Sequence, residues 1–462
     1  MIRAKFFART ALGLALAAGA IVGTAVPVMA KDKAPAASGT KLSPSKTFIP
    51  VYVAAKNAIE AADKRADVVA ARGQVTAAQA TLKAAQGKTA QAAAKAQLDA
   101  AVAAASTLLT PEKAAAGQAA AAAVNTDDKY LAGQLMLNVG TMASDLVLQR
   151  RGIQLEIDSG RIGVADLGKY HMVAGNIAMD LKDFAAARTS FMAANAAGSP
   201  ASEALISLSD AYIKDNQAAA GLKVLNDAVV KAGPAAPEGW MRFGIATAYR
   251  AKLPTEATIF ANELVAAYPS KDNWSLAIAV VRDLYQYQGH DQIDLLRLMD
   301  RTKSYSEERD FVEYIQAATK RGMPGEALKV IDTGITSGLL KTNDQFVIDA
   351  KRESAGRVGA DRASLPKQEA DARSARATAL SVVAAADTLL SYDQAAKAED
   401  LYNIALTKPG VDNTRVYLRL AIAQIDQGKY AAAQTNLAKV NDARSPIAKL
   451  WSAFAAGKLA GK

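Results

Sequence analysis

Histidine and cysteine are the side chains that most often bind transition metals, and this chain has few of them. The sequence contains no cysteine and only two histidines, His171 and His290. Neither histidine has a second histidine or a cysteine at the spacing of a zinc site. We therefore expect no metal site, with His171 packed in a helix contact and His290 in a solvated turn.

Two short motifs resemble parts of catalytic sites but lack their context. The stretch GKT at residues 87–89 matches the end of a phosphate-binding loop, whose first glycine would fall at Leu82. Ser43 and Lys46 have the spacing of a serine acyltransferase motif, but no second motif accompanies them. We therefore predict no catalytic residue and no cofactor, and we do not expect an enzyme.

The structural elements that would position functional residues are repeats. Small residues recur along the chain about every 34 residues, or at twice that spacing. One series has steps of 34, 36, 70, 71 and 35 residues and comprises Ala187, Gly221, Ala257, Ala327, Ala398 and Ala433. A second series has steps of 35, 34 and 35 residues and comprises Gly140, Gly175, Ser209 and Gly244. Small residues allow two helices to approach closely, so the spacing predicts repeated helix hairpins.

These hairpins resemble the tetratricopeptide repeat (TPR), whose consensus begins W-x2-L-G-x2-Y and continues with alanine, an aromatic residue and proline. Residues 240–244, WMRFG, resemble the opening, and residues 183–200 resemble the second half. The resemblance implies an all-α fold, a right-handed α-solenoid of TPR-like helix hairpins preceded by an alanine-rich helical segment. It extends to signal-bearing TPR proteins of Gram-negative envelopes.

In that family the first helix of each hairpin lines a concave groove, so the alignment implies which residues would face a partner. The implied residues combine apolar side chains with a few charges, which suits a partner protein or peptide, although several would instead pack between repeats. They are Met172, Asn176, Met179, Asp180, Glu203, Asp210, Lys214, Met241, Tyr249, Gln316 and Lys320, with Leu418, Ile422 and Asp426 in the last copy.

The first 30 residues have the features of a cleavable secretory signal. Three basic residues precede an apolar run at residues 11–26, and a small-x-small sequence ends at Ala30. We therefore expect a periplasmic protein exported through a Sec-type signal peptide. An exported chain rarely meets nucleic acid, so the expected partner is an envelope protein or a peptide.

The mature amino-terminal part is basic. Residues 31–126 contain 12 Lys and Arg against 6 Asp and Glu. This excess suggests peripheral contact with an anionic envelope surface, although lysines also keep an alanine-rich helix soluble. The alternative function is therefore a structural envelope protein that oligomerises through the alanine-rich segment and binds anionic cell-wall polymer or lipid.

Changes in composition divide the chain into six predicted segments. The connector among them contains a predicted hinge at residues 364–366, and a long polar helix is the alternative there. Breaks near Gly87 and at Thr110 and Pro111 predict two or three long helices or a coiled hairpin in the alanine-rich segment. The segments are a signal peptide (1–30), a flexible leader (31–50), a basic alanine-rich helical segment (51–126), a TPR-like solenoid (127–340), an irregular charged connector (341–376) and carboxy-terminal TPR-like repeats (377–462).

Overall fold

A computed structural model describes residues 42–198, 201–287 and 289–461, so the predicted signal peptide lies outside the described residues. The described residues form 22 α-helices and one short 3-10 helix, without a β-strand. The predicted all-α fold class is confirmed. The chain divides into two compact units at Ala236 and Pro237, within the segment predicted as a single solenoid.

The first unit contains ten helices. Helix α1 packs against α4 and α5, whereas α2 and α3 pair with each other. The other helices pair in sequence order, α5 with α6, α7 with α8 and α9 with α10. They are α1 (Phe48–Asp63), α2 (Ala66–Ala84), α3 (Lys88–Leu108), α4 (Thr110–Ala122), α5 (Thr126–Met142), α6 (Leu146–Asp158), α7 (Val164–Asp180), α8 (Phe184–Ala196), α9 (Ala201–Lys214) and α10 (Ala218–Ala232).

The end of the predicted flexible leader is held against α5. The backbone N–H of Ser43 donates to Asp127 Oδ2 at 2.7 Å, and that of Ser45 donates to Asp128 Oδ1 at 2.8 Å. Phe48 then begins α1 and is fully buried in the core of α1, α4 and α5. The leader prediction is therefore wrong for residues 42–50, because carboxylates at the start of α5 bind this backbone.

The alanine-rich segment contains four helices rather than the two or three predicted, and α2 and α3 pair as a hairpin. Helices α2 and α3 are separated at Gly87, whose φ of 86° favours glycine, and α4 begins with Pro111 in its first turn. The seam between α2 and α3 contains Ala71, Val75 and Ala105. Both predicted breaks are confirmed, and the small seam residues bury little apolar area per residue.

The second unit contains twelve helices, again mostly paired with their sequence neighbours. The final helix, α22, also contacts α12, α13, α14 and α20 within this unit. The helices are α11 (Glu238–Arg250), α12 (Pro254–Ala267), α13 (Lys271–Tyr285), α14 (His290–Arg301), α15 (Glu308–Lys320), α16 (Pro324–Thr336), α17 (Gln345–Ala372), α18 (Ala379–Ser391), α19 (Ala395–Ala405), α20 (Asn413–Asp426), α21 (Tyr430–Leu437) and α22 (Ser445–Leu459).

The connector predicted as irregular at residues 341–376 is mainly one long helix. Helix α17 has 28 residues and continues through Pro366. Its amino terminus is capped by Asp344, whose side chain accepts the N–H of Phe346 at 2.8 Å. Val347, Ala350 and a few other residues of this helix are buried against neighbouring elements. This packing outweighs the cost of the internal proline. The polar-helix alternative is therefore the correct one.

Small residues at the helix contacts are confirmed as the feature that sets hairpin geometry. A Cβ built on Gly175 would lie 2.4 Å from Phe191 Cε1, and one on Gly244 would lie 2.5 Å from Phe260 Cγ. Both phenylalanines are fully buried. In the α7/α8 and α11/α12 hairpins the first helix therefore approaches the second at a glycine, and an aromatic ring fills the space of the missing side chain.

Substituting Gly244→Ala should lower the free energy of unfolding of the second unit by about 1–3 kcal/mol, because the buried Phe260 ring cannot move aside without strain. Urea unfolding followed by tryptophan fluorescence measures this unit selectively, since all three tryptophans lie in it. Gly356→Ala is the control, because its new Cβ would contact nothing within 4 Å. It should stabilise α17 by about 0.5–1 kcal/mol. An unchanged transition for Gly244→Ala would contradict the close contact.

Candidate functional site

The exposed sides of α7 and α9 form the open part of the predicted groove, here called the α7/α9 face. Helix α8 contacts both helices, and its Phe191 lies in one buried cluster with Met172 and Leu208. This packing fixes the two first helices of adjacent hairpins relative to each other. The exposed and half-buried predicted residues on the face are Asn176, Met179, Asp180, Glu203, Asp210 and Lys214.

The charges of the α7/α9 face are only partly paired. Lys214 Nζ lies 2.8 Å from Asp210 Oδ2, one turn earlier on α9. Partial burial raises the pKa of Asp180 on α7, and the nearby charge of Lys214 opposes that rise. Within the described part of the chain, Asp180 and Glu203 form no ion pair and Asn176 makes no side-chain hydrogen bond. The face thus offers two carboxylates and an amide to a partner.

Two methionines that were predicted to line the groove are buried, each inside its own unit. Met172 is 8% exposed and Met241 is 0% exposed. Met172 packs against Phe191 and Leu208, so its side chain covers the contact between consecutive hairpins. The prediction that these two methionines contact a partner is wrong, because apolar positions near the hairpin seam are used to stack the repeats.

The other predicted groove residues belong to the second unit. Gln316 and Lys320 are exposed on α15, and Tyr249 is half-buried on α11. Leu418 and Ile422 on α20 are both 0% exposed. The prediction that they face a groove is therefore wrong for Leu418 and Ile422, whereas Asp426 on the same helix is exposed.

A cluster of buried charges occupies the inside of the second unit. Arg297 on α14 donates to both carboxylate oxygens of Glu326 on α16, at 2.8 and 2.7 Å. Arg419 on α20 lies 3.1 Å from Asp294 on α14 and also pairs with Asp387 on α18. Arg297 and Arg419 are 1% exposed, and Asp294 is 0% exposed. Each of these buried charges has an oppositely charged group within hydrogen-bonding distance. This pairing offsets the cost of removing the charges from water.

Two buried tyrosines complete the hydrogen bonding of this cluster. Tyr314 donates to Glu326 at 2.6 Å, and Tyr402 donates to Asp387 at 2.6 Å. Burial would raise the pKa of Glu326, but the Arg297 charge and the hydrogen bonds from Arg297 and Tyr314 lower it to about 2. Glu326 is therefore ionised at neutral pH and forms an ion pair with Arg297.

Helix α22 covers the same interior from the other side. Trp451 donates its indole N–H to the backbone oxygen of Asp294 at 2.9 Å. The ring of Phe454 packs edge-on against Trp274, with centroids 6.0 Å apart. Arg301 on α14 donates to Asp426 on α20 at 3.0 and 2.8 Å. Helices α20 and α22, in the carboxy-terminal part of the second unit, therefore contact α13 and α14, which come earlier in the same unit.

The buried cluster was not predicted, although the sequence contains a signal for it. Asp294 and Arg297 lie in the stretch IDLLRLMD, and Arg419 lies between Leu418 and Leu420. A charge with apolar residues on both sides of it along a helix lies near the buried stripe. That pattern indicates buried charges, but it does not identify which opposite charge each one meets.

The first unit contains a buried acid without a charged partner. Glu156 on α6 is 2% exposed, and its Oε1 accepts no hydrogen bond from the described residues. Burial raises its pKa to about 8, against the lowering effect of a hydrogen bond from Tyr170 on α7. Glu156 therefore keeps its proton at neutral pH, in the contact between the α5/α6 and α7/α8 hairpins.

The described part of the chain contains neither a cluster of possible metal ligands nor a helix able to span a membrane. That part has no group of three His, Asp or Glu residues placed to hold a metal ion. His171 is half-buried on α7, and burial lowers its pKa. No helix among the same residues has the length and apolar character needed to span a bilayer.

Consecutive helices pair as hairpins, and buried residues stack one hairpin on the next. In two of the hairpins a glycine of one helix contacts a phenylalanine of the other. The fold is that of a TPR-like repeat array. No protein-family model and no curated protein matches the chain.

Similar solved structures include several TPR proteins. A tetratricopeptide repeat protein from Parabacteroides merdae is 12% identical, covers 56% of this chain and 98% of its own, and has a TM-score of 0.24. The complex of the yeast Sti1 TPR2AB domain with pHSP90 is 16% identical, covers 64% and 96%, and has a TM-score of 0.23. A monomeric mutant of IFIT1 with m7Gppp-AAAA is 12% identical, covers 88% and 86%, and has a TM-score of 0.20.

Replacing Glu156 should change how the stability of this TPR-like array depends on pH. Between an unfolded pKa near 4.5 and a folded pKa of about 8, the folded state binds more protons, so stability falls as pH rises through this window. Glu156→Gln should therefore stabilise the first unit by roughly 2–4 kcal/mol at pH 9 and have little effect at pH 4. Hydrogen exchange of α6 and α7 measures this effect. Exposed Asp158→Asn on the same helix is the control, and equal pH profiles for wild type and Glu156→Gln would contradict the assignment.

Breaking the buried ionic cluster should destabilise the second unit far more than breaking an exposed ion pair. Arg297→Met leaves Glu326 buried without its cation and should cost about 3–5 kcal/mol. Lys351→Met is the control, because it breaks the exposed pair of Lys351 with Asp332, 2.8 Å apart, and should cost at most about 1 kcal/mol. Tryptophan fluorescence during urea unfolding distinguishes the two results. Similar losses for both variants would argue against a central role for the cluster.

Proposed function

We propose that this protein is an exported scaffold that binds a partner protein or peptide on the α7/α9 face. The observation that carries the proposal is the set of unpaired polar groups on that face, Asn176, Asp180 and Glu203, beside the half-buried Met179 and Ile206. Apolar burial would supply affinity, and the polar groups would set the register of the bound segment.

The interior of the second unit is less suited to partner binding. Arg297, Arg419 and their carboxylate partners already satisfy one another there, and α22 covers α20. A ligand entering this interior would have to separate buried ion pairs, which is costly. The exposed Gln316 and Lys320 on α15 remain a proposed secondary contact.

Export to the periplasm is part of the proposal. It is supported by the succession of basic, apolar and small residues in residues 1–30. The partner is then an envelope protein or an unstructured peptide. The groups available on the face are suited to non-covalent recognition, and catalysis is not part of the proposal.

A second candidate function is structural, through the α2/α3 hairpin. Lys83 and Lys88 flank the turn of this hairpin and form no ion pair among the described residues, whereas Lys95 pairs with Asp99 at 2.7 Å. Two free cations at an exposed turn suit an anionic polymer or lipid headgroup. Binding of this kind would weaken strongly with added salt.

A photo-crosslinking amino acid placed at Asn176 tests the partner-binding proposal in cells. Capture of one discrete protein from Asn176, and not from the exposed Thr189 on α8, is expected if the α7/α9 face binds the partner. Capture only from Lys83, by envelope polymer or by another copy of the chain, would favour the structural function instead.

Removing charges from the α7/α9 face should weaken capture without unfolding the protein. The double variant Asp180→Asn and Glu203→Gln should reduce capture from Asn176 about tenfold, because one charge-assisted hydrogen bond contributes roughly 1.5–3 kcal/mol. Its melting temperature should stay within about a degree, since neither group has an ion-pair partner among the described residues. Asp227→Asn on α10 is the control. Equal capture by the double variant and the wild type would remove the α7/α9 face from the proposal.

A further inference from the structure

The two helices of the α7/α9 face have a net negative charge. Together they contain four acidic residues and two lysines, which leaves −2. Each lysine lies 2.8 Å from an aspartate one turn earlier on its own helix, so each is already neutralised. Burial lowers the pKa of His171, so this side chain adds no charge at neutral pH. The net charge of α7 and α9 therefore comes from Asp180 and Glu203.

Asp180 lies where the fold gains little from an acid. It is the last residue of α7, and the macrodipole of a helix disfavours a negative charge at that end. Partial burial raises its pKa, against the nearby charge of Lys214, and it forms no ion pair among the described residues. A residue that breaks a local stability rule without compensation is a candidate for function.

Glu203 lies at the opposite end of the face. It is in the first turn of α9, whereas Lys214, the last residue of α9, is near Asp180. The step of 11 residues from Glu203 to Lys214 rises about 16 Å along the helix axis. The two free carboxylates are therefore about 16 Å apart along the face, which is the length of about five residues of extended chain.

The surface between the two carboxylates is mainly apolar. Met179 and Asn176 precede Asp180 on α7 by one residue and by about one turn, and Ile206 follows Glu203 on α9 by about one turn. The methionine and the isoleucine are half-buried, whereas the asparagine is exposed. Such a surface suits a segment that has an apolar centre and a positive charge towards each end.

We propose that the partner presents a basic segment to the α7/α9 face, with two lysine or arginine residues about five positions apart and apolar residues between them. The two cations bind Asp180 and Glu203, and the apolar centre covers Met179 and Ile206. This inference rests on the proposed function, because it specifies the chemistry of the partner at the same face. Recognition through a carboxylate of the partner is not expected, since both lysines of α7 and α9 are already paired.

Fluorescence anisotropy with labelled, end-blocked hexapeptides tests this charge preference on the purified protein. The probe is Lys-Ala-Leu-Leu-Ala-Lys, and the charge control is Glu-Ala-Leu-Leu-Ala-Glu. The probe should bind at least about tenfold more tightly than the glutamate peptide. The whole chain has a net charge of +10, so non-specific attraction would favour the glutamate peptide instead.

Two further comparisons separate a specific contact from general electrostatics. The rearranged peptide Lys-Lys-Ala-Leu-Leu-Ala keeps the charge of the probe but not its spacing, and it should bind about threefold more weakly. Raising NaCl to 0.5 M should weaken binding of the probe, because salt screens exposed charges.

Variants of the two carboxylates locate the contact. Asp180→Asn and Glu203→Gln should each weaken binding of the probe about threefold, and the double variant about tenfold, because the two groups are too far apart to couple. Asp158→Asn is the control, since it removes an exposed acid of α6 in the same unit, and it should leave the affinity unchanged.

The melting temperature distinguishes a binding role of Asp180 from a structural one. Asp180→Asn should raise it by about 1–2 °C, because a negative charge leaves the carboxy-terminal end of α7. Glu203→Gln should lower it by a similar amount, because its carboxylate favours the amino-terminal end of α9. A lower melting temperature for Asp180→Asn would instead make this residue a structural one.

Three outcomes would overturn the proposal. They are equal affinities for the lysine and glutamate peptides, an unchanged affinity of the double variant for the probe, and an equal loss of affinity in Asp158→Asn. The last outcome would mean that no particular carboxylate holds the peptide.

The two proposals fail in different ways. If one protein is captured from Asn176 in cells but the peptides bind equally, only the basic character of the partner is wrong. If the lysine peptide binds as expected but nothing is captured from Asn176, the charge preference stands and the partner-binding function is wrong.

Discussion

Asp294 is the residue on which the second unit depends most. Its side chain pairs with Arg297 and Arg419, and its backbone oxygen accepts the indole N–H of Trp451. These contacts join α14 to residues of α20 and α22 that lie 125 and 157 positions later in the sequence. Burying such charges is costly unless every one is paired, so the helices are held in one arrangement. These contacts bury Leu418 and Ile422, the apolar side of α20 that was predicted to face a groove.

The first unit differs because, among its described residues, no comparable ionic cluster or capping helix covers the exposed sides of α7 and α9. The hairpins there stack through Met172, Phe191 and Leu208, and the polar residues of α7 and α9 remain at the surface. The same repeat thus yields a closed ionic interior in one unit and an open face in the other. Binding is therefore proposed for the first unit.

Much of the fold was predictable because the repeat imposes local rules. Glycine at 175 and 244 is required where a helix meets a buried phenylalanine, so its spacing revealed the hairpins directly. The site was less predictable. Asn176 and Asp180 are exposed as expected, but Met172 and Met241 are buried at the contact between hairpins. The position of a residue on the first helix therefore did not show whether it faces the groove or packs between repeats. The sequence left a hinge and a long polar helix as alternatives for residues 341–376, because the charges and Pro366 of α17 do not reveal that packing holds it as one helix.

The sequence by itself determined the helical repeat, the small residues at each hairpin contact and the lack of thiol chemistry, since these follow from local periodicity and composition. Only the tertiary structure decided which faces stay open. Pairing Arg419 with Asp294 requires residues 125 positions apart to meet, and Glu156 becomes a neutral acid only because α6 and α7 enclose it. Long-range pairing and desolvation depend on which surfaces meet in the folded chain, and no local pattern specifies that.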